Sequence, residues 1–160
     1  MPDRIVIQQE RPDQPEVMEL LASLDRYLAS LYPPEANHIL DVQALLAPEV
    51  SFFVARDGQQ LVGAGALRRM QGEASTGGQP YGEIKRMVVD PARRGEGIGV
   101  QLLAAIENSL RAQGYQLALL ETGAAQTEAV RLYERCGYAA RGVFGVYPDN
   151  GLSVYYGKTL

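Results

Sequence analysis

Apolar positions along the chain change period in a fixed order, and that order predicts the elements. Arg4-Ile5-Val6-Ile7-Gln8 is a short extended run. Val17, Leu20, Leu21, Leu24, Leu28 and Leu31 then recur three and four apart, which predicts an amphipathic helix over about 14–31. Asp13 with Glu16 gives it a capping-box-like start, Pro15 suits the first turn, and Pro33-Pro34 stops it. His38 to Leu46 is weakly periodic and predicts a second, shorter helix. Ser51 to Arg56 and Leu61 to Leu67 predict two strands joined at an Asp57-Gly58 turn. Gln71 to Gln79, rich in Gly, Ser and Thr, reads as a polar, mobile loop.

The next strand, Tyr81 to Val89, breaks alternation. Its apolar residues Ile84, Met87 and Val89 are spaced three and then two apart, with Lys85 and Arg86 between the first pair. A β-bulge reconciles this, because one extra residue resets the pleat and leaves backbone groups unpaired. A strand covered on both faces is the other reading. Ile98, Leu102, Leu103, Ile106 and Leu110 mark the next helix, and Gly114 ends it. Leu117 to Leu120 predicts a buried strand, Glu121-Thr122-Gly123 a loop, and Ala129 to Cys136 a helix closed by Gly137. Tyr138 to Ala140 and Ser153 to Leu160 are the last strands, separated by a loop from Phe144 to Gly151. The strand–helix–strand unit over 84–120 requires a right-handed crossover between parallel strands. The whole order predicts an α/β chain with a mixed antiparallel and parallel sheet.

Between the bulged strand and its helix lies Asp90-Pro91-Ala92-Arg93-Arg94-Gly95-Glu96-Gly97-Ile98-Gly99. Three glycines at alternate positions open a helix N-terminus, where free N–H groups and the helix dipole favour an anion. Arg93 and Arg94 add positive charge. By itself the stretch fits either a phosphate cradle or an exposed glycine-rich turn. A Rossmann fingerprint has different spacing and sits at the first strand, and a P-loop needs Gly-Lys-Ser/Thr; neither is present.

Composition narrows the classes. A chain of 160 residues fits one domain over 1–160 with a substantial core. A net charge of −4 argues against nucleic acid as the main partner. Cys136 is the only cysteine, which excludes an intrachain disulfide and fits a cytoplasmic location. No apolar run is long enough for a membrane span, and the N-terminus lacks the pattern of a signal peptide. No His/Cys/Asp cluster has metal-ligand spacing, so no metal is expected. His38 is the single histidine, and Cys136 falls on an apolar helix face as a core residue rather than a nucleophile.

Arg94-Gly95-Glu96-Gly97-Ile98-Gly99 resembles the Arg/Gln-x-x-Gly-x-Gly/Ala signature of the GNAT N-acetyltransferase superfamily. Glu83 to Pro91 resembles the strand leading into that signature. Ala129-Val130-Arg131-Leu132-Tyr133-Glu134-Arg135-Cys136-Gly137-Tyr138 resembles the family's later Ala-x-x-Leu-Tyr-x-x-x-Gly-Phe/Tyr helix, and Val54 to Gly63 its early hairpin. The resemblance covers about residues 50–140. It implies a twisted mixed sheet of about seven strands with about four helices, and direct transfer of an acetyl group from acetyl-CoA to an amine.

It also implies site residues. Backbone amides of Arg94, Gly95, Glu96, Gly97, Ile98 and Gly99 would hold the pyrophosphate. Backbone groups of Met87 and Val89 would pair with the pantetheine arm, and the Met87 or Val88 N–H would face the thioester carbonyl. Glu83 matches the position of the general base and Tyr133 that of the acid for the leaving thiolate. Gln126 stands where many members have Asn, with Thr122 as a substitute contact. Tyr32, Glu35, Asp41 and Tyr147 fall in segments that flank the acceptor pocket. The acceptor implied is a primary amine of a small molecule or peptide, and a homodimer through the terminal strands is compatible with the fold. Transfer of a different acyl group and a non-catalytic CoA-sensing regulatory module are the alternatives.

Overall fold

In the computed structural model, residues 4–34 and 40–160 are described. Seven strands and four helices follow one another as β1 (Ile5–Gln9), α1 (Pro15–Leu31), α2 (Val42–Leu45), β2 (Val50–Asp57), β3 (Gln60–Met70), β4 (Tyr81–Val89), α3 (Ile98–Ala112), β5 (Leu117–Gly123), α4 (Thr127–Arg135), β6 (Ala139–Arg141) and β7 (Ser153–Thr159). Single 3₁₀ turns at Ala74–Thr76 and Pro91–Arg93 flank β4. The strands form one sheet in the order β1-β2-β3-β4-β5-β7-β6. β4 and β5 pair in parallel, as the helix between them requires, and the other neighbouring pairs are antiparallel.

Hydrophobic periodicity sets what each face buries. On one face, Leu102, Leu103, Ile106 and Leu110 of α3 pack with Tyr133 of α4 against Ile84, Ala118 and Leu120. Each fully buried Leu or Ile contributes roughly 1.5–3 kcal/mol, so packing rather than propensity holds α3. On the other face, Val17 and Leu21 of α1 and Leu45 of α2 meet Phe52, Val54, Ala64 and Ala66. Tyr81, Leu119, Phe144 and Tyr155 form a separate aromatic cluster.

The bulge lies in β4. Its register with β3 slips between Ala64 and Ala66, and Arg86 is the one non-glycine residue with positive φ, 58°, among those described. The slip explains the irregular spacing: Ile84, Met87 and Val89 all join the α3 face, whereas Val88 joins the α1 face.

Several local readings change. Asp13 is taken by Arg11 at 2.8 Å, and α1 starts at Gln14 without a side-chain cap. The second helix shrinks to Val42–Leu45, where Asp41 accepts from the Ala44 N–H at 2.8 Å and is a cap rather than a pocket residue. Glu35 and His38 lie outside the described residues. The polar 71–79 segment is stitched down. Glu73 accepts from the Tyr81 hydroxyl at 2.7 Å, from Ser75 at 2.6 Å and from the Gly145 N–H at 2.8 Å. Glu121 to Gly123 is not a loop but the end of β5, paired with Tyr155 to Ser153 of β7.

Candidate active site

β4 and β5 stay paired only from Gly82↔Ala118 to Ile84↔Leu120. Beyond that point β5 continues to Gly123 beside β7, so the bulged half of β4 has no partner on that side. A cleft of about 100 Å³, open to solvent, occupies this gap. Ile84, Lys85, Arg86 and Met87 form one wall and Glu121, Thr122 and Gly123 the other. Leu24, Leu28 and Tyr32 of α1 cover it, and Gln126, Tyr133 and Ser153 complete it.

The cleft therefore joins five residues expected from the sequence: Tyr32, Met87, Thr122, Gln126 and Tyr133. Gln126 sits just before α4 and makes no capping bond to it with its side chain. Tyr133 is buried, with its ring edge against Tyr138. Burial, and secondarily the charge of Glu121, push its hydroxyl well above the ordinary tyrosine range. Its hydroxyl therefore stays protonated at physiological pH.

Glu83 is placed differently from a residue that opens onto the cleft. It is 3% exposed and absent from the cleft walls. The Tyr147 hydroxyl donates to its Oε2, and the Lys85 ammonium lies 3.6 Å from the same oxygen and also donates to Tyr147. Burial, then the neighbouring Glu83 charge, raise the Tyr147 hydroxyl above its usual range. Glu83 is thus linked to the cleft through Lys85, which does line it.

The glycine turn lies at the other end of β4. Gly95 (φ 82°) and Gly97 (φ 79°) take left-handed conformations that favour glycine, and α3 begins without a side-chain cap. Its first N–H groups have no intrahelical partner by geometry. A phosphate fits this unsatisfied cradle. Gly99 has a packing reason instead: a Cβ there would lie 2.9 Å from Leu132 of α4. The arginines divide as well. Arg93 is spent on Asp57 and Glu96, both at 2.8 Å, which ties the β2–β3 hairpin to the turn. Arg94 is half-exposed and reaches Glu128 at 3.3 Å. Val88 and Val89 lie between turn and cleft, paired with Ala64 and Gly63.

Two cleft residues gave no sequence signal. Arg86 is 9% exposed and donates to Asp25 at 2.6 Å and to the Leu21 carbonyl at 3.3 Å; its Nε is buried without a partner among the described residues. Glu121 accepts from the Ser153 hydroxyl at 2.6 Å. A charged residue at the end of an apolar strand looks like a loop residue until the β7 pairing is known. Among the described residues, no group of three His, Cys, Asp or Glu side chains could hold a metal, and no helix is long and apolar enough to cross a membrane.

A sheet split beside a bulged strand, with an uncapped glycine turn at its end, is the arrangement that the sequence resemblance implies. The family comparison agrees: residues 15–138 match the Acetyltransferase (GNAT) family. An IAA acetyltransferase of Azospirillum brasilense is 45% identical over 156 residues, covering 98% of each chain. A Klebsiella pneumoniae structure described as a candidate acyl-CoA N-acyltransferase superposes with a TM-score of 0.79 at 33% identity, covering 98% of this chain and 97% of that one. A GNAT family acetyltransferase of Elizabethkingia anophelis with acetyl-CoA bound shares the fold, with a TM-score of 0.66 at 20% identity and 99% of each chain covered. The chain belongs to the acetyltransferase (GNAT) family, and its reaction class is acetyl transfer to nitrogen with acetyl-CoA as cosubstrate. The binding-only regulatory alternative is set aside, since the family and these relatives carry transferase names.

Proposed function

We propose that residues 1–160 work as one cytoplasmic N-acetyltransferase domain whose acceptor is a primary amine of a small molecule or peptide. One observation carries the reading: the unpaired half of β4 walls an open cleft that Tyr133 also lines, and the same strand runs on into the uncapped glycine turn. Acetyl-CoA supplies an acetyl thioester, which the amine nitrogen attacks as the carbon–nitrogen bond forms and the carbon–sulfur bond breaks.

The chain's own residues then have distinct tasks. Amides of Arg94, Gly95, Glu96, Gly97, Ile98 and Gly99 hold the pyrophosphate. Backbone groups of Met87 and Val89 bind the pantetheine arm, with the side-chain amide of Gln126 across the gap. The Met87 or Val88 N–H faces the thioester carbonyl, where donors are most effective as charge develops. The buried Tyr133 hydroxyl gives its proton to the departing thiolate. Glu83 draws protons away from the acceptor side through water or through Tyr147 and Lys85 rather than by direct contact.

The relative named IAA acetyltransferase supports the class of reaction; the acceptor chemistry rests on the cleft. Self-association through the sheet-edge strands belongs to the same proposal, because β1 and β6 each have one unpaired edge.

Thermal unfolding with and without acetyl-CoA tests the cradle. A ligand at a hundred times its Kd stabilises by about 2.7 kcal/mol, a readily measured rise in Tm. Gly97→Ala places a side chain at a left-handed position and reduces that rise. No rise in the wild-type protein at saturating acetyl-CoA overturns the reading.

A further inference from the structure

Arg86 stands at the bulge of β4, on the wall of the cleft, with a side chain only 5% exposed. A guanidinium presents its donors in a fixed fork, and the edge formed by Nε and Nη2 matches the two oxygens of a carboxylate. Other arginines of this chain use that edge so. Arg11 grips Asp13 through Nε at 3.0 Å and Nη2 at 2.8 Å. Arg56 grips Glu10 at 2.9 and 2.8 Å, and Arg93 grips Glu96 at 2.8 and 2.9 Å. Arg86 differs. Asp25 takes its Nη1 at 2.6 Å, and Nη2 meets only the neutral Leu21 carbonyl at 3.3 Å. Its Nε is buried with no acceptor among the described residues. The edge that holds a carboxylate elsewhere in the chain is thus unfilled in Arg86.

We propose that this edge takes a carboxylate of the acceptor, so that the acceptor is a free amino acid. The inference rests on the acetyl-transfer reading and narrows its acceptor class. A buried donor without an acceptor costs stability, and a ligand oxygen that answers it recovers that cost on binding. Asp25 of α1 steadies the fork from Nη1 and leaves Nε to the ligand. The charges of the two walls orient the same molecule. Lys85 and Arg86 lie on the β4 wall and Glu121 on the β5 wall, so a carboxylate is drawn to β4 and turned away from β5. Arg86 also directly precedes Met87, whose N–H is assigned to the thioester carbonyl. The carboxylate therefore lies close to the reacting nitrogen, as it does in an amino acid and does not at the far end of a peptide.

Thiol release by the wild-type enzyme with matched acceptors provides the test. Alanine, leucine and phenylalanine are each compared with their carboxamide, their decarboxylated amine and a dipeptide that they begin. The kcat/KM for the acid is expected to exceed that for the carboxamide and the amine by about 10- to 10²-fold, the range for hydrogen bonds to charged groups. Arg86→Lys keeps the positive charge and loses the fork, so the ratio of acid to amine should fall to within about twofold of one. A rise in Tm with acetyl-CoA shows that this variant is folded; if it does not fold, the wild-type ratios decide.

Wild-type turnover that is equal on acid, carboxamide and amine, confined to acceptors without a carboxylate, or faster on the dipeptide than on the amino acid overturns the assignment and leaves acetyl transfer standing. A preference for the acid that survives Arg86→Lys overturns Arg86 as its source. A wild-type protein that neither binds acetyl-CoA nor acetylates any acceptor overturns both readings.

Discussion

The hydroxyl of Tyr32 stands where a side chain on Gly123 would project: a Cβ built at Gly123 would lie 1.8 Å from it. The same hydroxyl accepts from the Ala125 N–H at 3.0 Å, so the end of α1 is fixed to the end of β5 across the cleft mouth. Gly123→Ala must push Tyr32 aside. We expect a loss of roughly 1–3 kcal/mol in denaturant unfolding, the usual cost of overpacking, and a raised KM for the amine. Tyr32→Ala removes the clash, so the two substitutions should be strongly non-additive. Additive effects would mean that the two residues do not share the space.

Tyr147 crosses from the β6–β7 loop to donate to the buried Glu83 carboxylate. Its ring packs edge-on to Phe144 at 5.4 Å, so the loop is anchored while the hydroxyl is aimed. Tyr147→Phe keeps the ring and removes the donor. Hydrogen bonds to charged groups contribute about 1.5–3 kcal/mol. For a chain of this size that predicts a fall in Tm of several degrees. An unaltered melting curve would mean that Glu83 does not depend on this contact.

Acid stability should depend on Glu10. Arg56 reaches Glu10 at 2.8 Å and Glu16 at 2.7 Å, joining the first strand and helix to β2. The hydrogen bond from Arg56 lowers the Glu10 carboxyl from 4.5 to about 2. In that interval the unfolded chain binds more protons than the folded one. The contribution of Glu10 is therefore complete above pH 4.5 and is lost as pH falls toward 2. Glu10→Gln should be less stable at neutral pH, with a flatter decline through this window. Parallel stability curves for the two proteins would refute the pairing.

What the sequence revealed follows from the range of each interaction. The bulge was legible because it leaves its mark on neighbouring residues: Ile84, Met87 and Val89 face α3 only if one residue is inserted. The glycine turn and the Tyr133 helix were legible as compact motifs. Partners distant in sequence were not. Glu121 joins the cleft because β7 inserts between β5 and β6 and holds it in strand geometry. Tyr147 meets Glu83 across 64 residues of chain. Local rules also gave way to nearer competitors, as when Arg11 took Asp13 from the start of α1. Residues 71–79 looked mobile because their composition is polar, yet Tyr81 and Gly145 hold Glu73 in place.

Thiol release from acetyl-CoA over a panel of amines, amino acids, polyamines, aminoglycosides and peptides tests the proposed chemistry most directly. The wild-type protein should release CoA with at least one acceptor and return it bearing one added acetyl group. Tyr133→Phe should lower kcat by about 10²-fold while binding acetyl-CoA as before, because it removes the proton donor and little else. An enzyme that binds acetyl-CoA yet acetylates nothing across the panel, or a Tyr133→Phe variant with the wild-type rate, would contradict the mechanism.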